Sequence, residues 1–142
     1  MAPPRVGKAL ITLDTSALVT LLDRRDPEHS RVREEFLHDG GPYFVPAWIM
    51  AEVSYFAETR LGAKVVEVLL NDIAKGAFSL ECGDGDVPRI RALVERYADL
   101  PLGVADASVI ACAERNGGRV LTLDVRDFGV VAKEGTIQIV PS

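Results

Sequence analysis

The chain has 142 residues, 48% of them hydrophobic and 26% charged, which predicts a single soluble globular domain with a sizeable core. No apolar run approaches the ~18–20 residues that a membrane-spanning helix needs, so a membrane protein is excluded. The net charge of −5 argues against a protein that wraps nucleic acid electrostatically, although a bound cation reverses the field of the acids that hold it.

Cys82 and Cys112 are the only cysteines, and each lies among apolar residues. This pattern predicts buried free thiols in a reducing compartment, as in a cytoplasmic protein. A secretory signal is not expected, because the N-terminal apolar run is short and breaks at Asp14. With no CxxC pair and two histidines, a zinc site is not expected either.

Strands and helices are predicted from apolar periodicity and from glycine and proline punctuation. Residues 1–8 contain two prolines and a glycine and are expected to form a flexible lead-in. Ala9–Leu13 is aliphatic without polar alternation, which is typical of a parallel strand covered on both faces. The remaining segments are, in chain order, helix Ser16–Asp23, a helix from about Pro27 to His38, strand Tyr43–Val45, helix Ala47–Arg60, helix Lys64–Ala74, strand Ala77–Cys82, helix Val87–Ala98 with Asp86 as its N-cap, helix Val104–Asn116, strand Arg119–Leu123, a turn at Val125–Gly129 and strand Thr136–Val140.

Strands therefore alternate with helices along the chain. This order predicts an α/β fold, a three-layer α/β/α sandwich around a central, mostly parallel sheet of four to five strands. Ligands of such sheets bind beyond the carboxyl ends of the strands. Asp14 and Asp124 each follow a predicted strand directly, so we expect them at one edge of the sheet.

Each acid near this edge also has a purely structural interpretation. Asp14 would serve as a helix N-cap, and Asp124 would sit in a turn at a strand end. Asp106 lies in the first turn of a small-residue helix, where the helix dipole favours an acid. Glu52 interrupts a nearly solid apolar stretch, where a carboxylate is rarely placed unless it is paired or binds a cation. Asp127 is the weakest member and is compatible with a surface role.

Taken together, the acids favour a metal site. Carboxylates gathered at one edge repel one another and raise one another's pKa, and a divalent cation removes that conflict. Oxygen-only ligands suit Mg²⁺ or Mn²⁺. We expect Asp14, Asp106 and Asp124 as the metal ligands, with Glu52 binding directly, binding through water or orienting the nucleophile.

Four segments in order resemble the PIN-domain nucleases: LDTSALV around Asp14, AEVSYF around Glu52, LGVADASVIACAE around Asp106 and LTLDVRDF around Asp124. The length and spacing are most similar to the VapC-type ribonuclease toxins of bacterial type II toxin–antitoxin pairs. The resemblance covers nearly the whole chain, with residues 64–87 contributing little. It implies a small α/β/α domain, an Mg²⁺- or Mn²⁺-dependent endoribonuclease activity, an RNA substrate, a cognate antitoxin and a homodimer.

The resemblance also implies roles for individual residues. Asp14, Glu52 and Asp106 match the three core acids, and Asp124 matches the more variable fourth. Asp127 competes with Asp124 for that position, because the last motif reads Asp-Val-Arg-Asp. Two hydroxyl residues match positions that assist the site, Ser16 and Thr122.

Two other functions remain possible at this point. One is a non-catalytic PIN-like module that binds RNA or a protein. The other is a phosphoryl-handling or receiver-like α/β domain using Asp14, which is disfavoured because Ser16 replaces the second acid of a DxD pair and no P-loop is present. His29 and His38 fall in one polar helix and are expected to face solvent, away from the acids.

Residues that would hold RNA or a partner are the least specific. The chain also has more apolar side chains than a small sheet needs, as in a homodimer face or a groove for a helical partner. These residues are Trp48, Ile49, Tyr55 and Phe56, together with Leu18, Leu21 and Leu22. The basic residues near the acids that could contact RNA are Arg24, Arg25, Arg115, Arg119, Arg126 and Lys133.

Overall fold

The computed structural model of the chain describes residues 10–81 and 83–141. Within these ranges five parallel strands form one sheet in the order β3-β2-β1-β4-β5. The strands are β1 Ile11–Leu13, β2 Tyr43–Pro46, β3 Ser79–Glu81, β4 Arg119–Leu121 and β5 Gln138–Val140. The α/β/α sandwich with a central parallel sheet is thus confirmed.

Seven α-helices flank this sheet in the described part of the chain. They are α1 Thr15–Leu22, α2 His29–Asp39, α3 Met50–Leu61, α4 Ala63–Ala74, α5 Val87–Arg96, α6 Val104–Arg115 and α7 Val125–Ala132. Short 3₁₀ turns precede two of them, at Ala47–Ile49 and Asp84–Asp86. None of the described helices is long and apolar enough to cross a membrane.

Strand β1 is the middle of the sheet, and its residues Ile11 and Leu13 are completely buried. It pairs in parallel with β2 on one side and β4 on the other, so that Thr12 lies opposite both Phe44 and Val120. From β1 the chain adds β2 and β3 on one side, and it then returns to add β4 and β5 on the other side. Open parallel sheets bind ligands at such a point, in the crevice beyond the carboxyl ends of the two central strands. The residues that follow Leu13 and Leu121 therefore face one another.

Helix α6 is the most buried helix of the fold. Its small residues, among them Ala107 and Ala111, are almost fully buried and let the helix backbone pack against β1, β2 and β4. Cys112 is a buried free thiol, as the sequence predicted. This close packing places Asp106, in the first turn of α6, beside the carboxyl ends of the strands.

One local prediction was wrong. Val125–Gly129 was expected to turn away, but it begins helix α7, because Asp124 caps the helix and Phe128 and Val131 bury one face of it. Asp86 is the N-cap residue of α5, as expected, but its side chain makes no cap bond. Its carboxylate instead accepts two hydrogen bonds from the Arg115 guanidinium.

Other expectations differ only in detail or cannot be compared. Helix α3 starts at Met50, after the 3₁₀ turn, and β4 ends at Leu121. The expected lead-in at residues 1–8, the start of the first strand at Ala9 and the expected buried thiol of Cys82 lie outside the described residues.

Candidate active site

Asp14 directly follows β1 and is almost completely buried. It caps α1, because its Oδ1 accepts a hydrogen bond from the backbone N–H of Ala17 at 2.8 Å. The Ser16 hydroxyl donates to the same oxygen at 2.8 Å, and the Thr122 hydroxyl donates to Oδ2 at 2.5 Å. The N-cap interpretation of Asp14 therefore holds, and the same carboxylate also lines the cleft described below.

Ser16 and Thr122 join the ends of β1 and β4. The Ser16 hydroxyl accepts a hydrogen bond from the backbone N–H of Leu123 at 3.1 Å. The Thr122 hydroxyl accepts one from the backbone N–H of Asp124 at 2.9 Å. Because each hydroxyl also donates to Asp14, the two side chains fix the loop that carries Asp124 relative to the central strand. They hold the site in place from beneath.

Three carboxylates converge above these hydroxyls. One carboxylate oxygen from each of Asp106, Asp124 and Asp127 lies within 4.8 Å of the others. Asp106 comes from the first turn of α6, while Asp124 and Asp127 open α7. The backbone N–H of Asp127 donates to Asp124 Oδ1 at 3.1 Å, which holds the Asp124 carboxylate against the start of α7.

A cleft of about 330 Å³ lies over Asp14, and two of the three converging acids, Asp106 and Asp124, line it. Its other wall is α3, which contributes Glu52. Contrary to the expectation of an apolar environment, Glu52 is exposed, because Val53 and Ala57 turn the apolar side of α3 toward the core. The structure thus brings Asp14, Glu52, Asp106 and Asp124 to one cleft, with Asp127 beside them.

Two carboxylates of this cleft, Asp14 and Asp106, resist ionisation. Burial raises the pKa of Asp14 from 3.8 to about 6, although its hydrogen bonds from Thr122, Ala17 and Ser16 act in the opposite direction. Burial and, after it, the neighbouring negative charges, led by that of Asp124, together raise the pKa of Asp106 to about 6. At neutral pH the cleft therefore holds more negative charge than Arg60, the cation among its described lining residues, can neutralise.

This donor set fits a hard divalent cation. Asp106, Asp124 and Asp127 offer oxygen atoms alone, which suits Mg²⁺ or Mn²⁺ and not zinc. Asp14 lies outside the group of three, and its two oxygens already accept hydrogen bonds from Ala17 and from two hydroxyls. Asp124 and Asp127, the two candidates for the fourth acid position, both lie in the acid cluster.

The comparisons with known proteins agree with this architecture. The sequence family described as the PIN domain matches residues 11–134, a range that contains every acid of the cleft. The chain belongs to the PIN domain family. Ribonuclease VapC26 of Mycobacterium tuberculosis (strain ATCC 25618 / H37Rv) is 33% identical over 125 residues, which are 87% of this PIN domain chain and 93% of the relative.

Solved structures show the same PIN fold. VapC20 of Mycobacterium tuberculosis, described as a sarcin-ricin loop cleaving toxin, superposes with a TM-score of 0.73 at 15% identity, over 84% of this chain and 94% of that one. The DNA-bound VapBC complex of Salmonella typhimurium has a TM-score of 0.66 at 21% identity, over 92% and 96% of the two chains. At these identities the likeness concerns the fold.

The PIN cleft also contains residues that the sequence did not assign to the site. Asp26, Phe56 and Arg60 line it together with the expected acids, and Phe56 was expected only as an apolar residue of the core or of a partner face. The signal for two of them was available, because Phe56 and Arg60 follow Glu52 at helical intervals of four residues. Asp26 gave no such signal, since its side chain forms a turn by accepting from the N–H of Glu28 at 2.8 Å.

Several residues expected near the substrate are placed elsewhere. Arg115 is held by Asp86 and by Glu81, and Arg119 is 3.9 Å from Glu35.

The histidines were expected to face solvent, away from the acids. His29 is instead half-buried, and its Nδ1 lies 2.9 Å from the carbonyl oxygen of Thr20. Neither histidine of the described chain lines the acidic cleft.

Proposed function

We propose that this PIN domain protein is a metal-dependent endoribonuclease that hydrolyses RNA phosphodiester bonds as the toxin of a toxin–antitoxin pair. The observation that carries the proposal is the cleft at the switch point of the sheet, where Asp106, Asp124 and Asp127 converge beside Asp14 and Glu52. The 33% identity to a ribonuclease over 87% of the chain supports RNA as the substrate.

In this proposal Asp106 and Asp124 are the principal ligands of Mg²⁺ or Mn²⁺, and Asp14 and Asp127 complete the site from either side. A divalent cation bound there supplies Lewis-acid stabilisation of the phosphate and lowers the pKa of a bound water. The hydrogen bonds of Ser16 and Thr122 fix the position of the Asp14 carboxylate relative to the loop that carries Asp124.

Glu52 has a different role from the buried acids. It is exposed on the α3 wall of the cleft, opposite the strand ends. We assign to it the orientation of the attacking water and the acceptance of the proton from that water. Attack by the 2′-hydroxyl of the RNA ordinarily uses a histidine acid–base pair, and no histidine lines this cleft in the described chain. The expected products therefore carry a 5′-phosphate and a 3′-hydroxyl.

The test is cleavage of labelled structured and single-stranded RNA in Mg²⁺, Mn²⁺ or EDTA. We expect cleavage with either metal, none in EDTA, and none by the Asp14→Asn/Asp106→Asn double variant. Asp99→Asn is the matched control, because Asp99 is an exposed acid of the α5–α6 connection and lies outside the cleft. End-group analysis should find 5′-phosphates.

Three results would contradict the proposal in different ways. Cleavage in EDTA would remove the metal from the mechanism, and a 2′,3′-cyclic phosphate product would assign the attack to the RNA itself. Metal-dependent RNA binding without cleavage would favour the non-catalytic binding module.

A groove beside the cleft supports the antitoxin as partner. It lies between the C-terminal half of α1 and the α3–α4 hairpin. Its lining combines an apolar floor with a predominantly basic rim, which suits an acidic amphipathic segment. The floor consists of Leu21, Leu22, Leu61, Val65 and Val68, and the basic residues are Arg24, Arg25, Arg60 and Lys64. RNA cleavage that stays equally fast with the cognate antitoxin bound would contradict this assignment.

A second surface supports the homodimer. Trp48 exposes 42% of its surface, and Val87 and Val104 expose 47% each. Together with Ile90 and Val94 they form a largely apolar depression, which shares no lining residue with the acidic cleft. We propose that two copies meet through this face and that the protein acts in the cytoplasm, where its RNA substrate and its reduced thiol are both expected. A monomeric mass at micromolar concentration in light scattering would contradict the dimer.

A further inference from the structure

One face of helix α3 points along the acidic cleft. Glu52, Phe56 and Arg60 are four residues apart, so they lie above one another on the same side of the helix. All three line the cleft. The wall opposite the strand ends therefore carries an acid near the metal ligands, then an aromatic ring, then a guanidinium.

The guanidinium is held by the ring. The Arg60 Cζ atom lies 4.7 Å from the centroid of the Phe56 ring, within the range of a cation–π contact. Phe56 is half-buried and Arg60 exposed, so the ring anchors the side chain while the guanidinium N–H groups stay accessible. No carboxylate of the described residues lies within ion-pair distance of Arg60, in contrast to Arg115 and Arg89.

The charge around Arg60 is strongly one-sided. Among the described residues that line the cleft, Arg60 is the single cation. The acids that share the cleft with it are Asp14, Asp26, Glu52, Asp106 and Asp124. An RNA strand brings a negative charge with each phosphate, and a cleft of this composition repels every phosphate that is not bound by a metal ion. An arginine held against a ring, with no acid paired to it, is suited to bind such a phosphate.

We infer that Arg60 binds a backbone phosphate of single-stranded RNA lying along the cleft, and that Phe56 positions its guanidinium for this contact. The inference rests on the proposed ribonuclease function. It identifies Arg60 as the residue whose positive charge attracts RNA to a cleft that is otherwise acidic. Phe56 acts through Arg60 and is a positioning residue. The ligand is the sugar–phosphate backbone, so the contact does not depend on base sequence.

The test measures binding of a fluorescein-labelled single-stranded 12-nucleotide RNA by anisotropy, between 50 and 200 mM KCl. All proteins carry Asp106→Asn to prevent cleavage. Arg60→Ala should weaken binding roughly tenfold and reduce the slope of log K against log salt by ~0.7, the value of one phosphate contact on a single strand. Arg33→Ala is the control, because Arg33 is exposed on α2 and lies outside the cleft.

Two further variants separate charge from position. Arg60→Lys keeps the charge but loses the flat face that packs on Phe56, so the salt slope should persist while the affinity falls. Phe56→Leu keeps both the charge and an apolar side chain, so it should weaken binding with a nearly unchanged slope. In the parent protein without Asp106→Asn, Arg60→Ala should raise KM more than it lowers kcat, and Mn²⁺ binding measured by electron paramagnetic resonance should change less than twofold.

The outcomes distinguish this inference from the proposed function. If the parent protein cleaves RNA and Arg60→Ala binds RNA with the affinity and slope of Arg33→Ala, the inference is wrong and the ribonuclease function stands. If the parent protein neither binds nor cleaves RNA, both are wrong. If Arg60→Ala loses Mn²⁺ binding, Arg60 supports the site structurally and does not contact the substrate.

Discussion

Replacing Asp106 with asparagine should stabilise the metal-free protein at neutral pH. In the folded chain, burial and the surrounding acids raise the pKa of Asp106 from 3.8 to about 6, so the ionised carboxylate destabilises the fold. A difference of this size corresponds to about 3 kcal/mol for a fully buried group. An asparagine side chain has nearly the same shape and carries no charge. The substitution should therefore raise the free energy of unfolding of the protein, although it replaces a residue assigned to the active site.

The gain is smaller than this upper bound for two reasons. Asp106 is only partly buried, so solvent screens its repulsion from the other acids. Its carboxylate also lies in the first turn of α6, where interaction with the helix dipole contributes ~0.5 kcal/mol that asparagine loses. We expect a net gain of about 1 kcal/mol at pH 7.5, or a rise in Tm of roughly 3–4 °C for a chain of this size.

The pH dependence has a definite sign. The folded state binds more protons at Asp106 than the unfolded state between pH 3.8 and about 6, so the penalty is absent below this window and complete above it. The stability difference between Asp106→Asn and the parent protein should therefore be largest above pH 7 and vanish near pH 4. Thermal melts in EDTA across this pH range measure it, with Asp99→Asn as the exposed-acid control.

The same melts with Mn²⁺ should invert the order of stability. Mn²⁺ should raise the Tm of the parent protein and leave that of Asp106→Asn nearly unchanged, because the variant lacks a principal ligand. An Asp106→Asn variant that melts below the parent protein in EDTA at pH 7.5 would refute the reasoning that the acids repel one another in the folded state.

Three further predictions concern the framework around the site. Thr122→Val should lose ~1–3 kcal/mol in urea unfolding, because the buried Asp14 carboxylate loses one of its two hydroxyl donors. Thr122→Ser should lose much less, and equal losses would contradict the hydrogen bond. Phe128→Ala should lose ~3–5 kcal/mol of unfolding free energy, because this side chain is completely buried on the inner face of α7. A loss below about 1 kcal/mol would favour the turn interpretation of that segment. Arg115→Leu should lower stability by ~1–2 kcal/mol, because it leaves the buried Asp86 carboxylate unpaired, and adding Asp86→Asn should recover most of it; a double variant with the summed losses would argue against the pair.

The centre of the sheet was predictable because β1 and β4 are short, largely aliphatic and largely buried, whereas the outer strands β3 and β5 are partly exposed. The run ending at Leu13 and the run ending at Leu121 are both followed by acids, and parallel strands must place those acids at one edge. Helix α7 was not predicted. Gly129 near its middle is typical of a turn, whereas in the structure the cap at Asp124 and the burial of Phe128 outweigh the low helix propensity of glycine.

The acid cluster was predictable as a group but not in its internal arrangement. Sequence order placed Asp14, Asp106 and Asp124 near one another, yet it could not show that hydrogen bonds occupy Asp14 or that Asp127 turns inward. Asp127 lies in the first turn of α7 because the Asp124 carboxylate caps that helix by accepting from the backbone N–H of Asp127. Such contacts between side chain and backbone depend on a helix start that the sequence did not reveal.

The environment of Glu52 was predicted wrongly, although the helix that carries it was recognised. An acid within an apolar stretch was taken as a buried group, but a helix presents its successive residues to different surroundings. Val53 faces the core, while Glu52 and Arg60 face the cleft. Helical spacing from Glu52 along the whole of α3 would have identified Arg60 as the basic residue of the cleft. Arg115 and Arg119, which were expected near RNA, instead pair with acids elsewhere.

Whether these acids form one divalent-cation site is tested most directly by a crystal structure of the protein with Mn²⁺ and its anomalous difference map. We expect a peak in the cleft with carboxylate oxygens of Asp106 and Asp124 at ~2.0–2.3 Å, and with Asp14 or Asp127 also in the coordination shell. An empty cleft at millimolar Mn²⁺, or an anomalous peak only at surface acids outside it, would contradict a metal site here and leave the cluster as caps and turns.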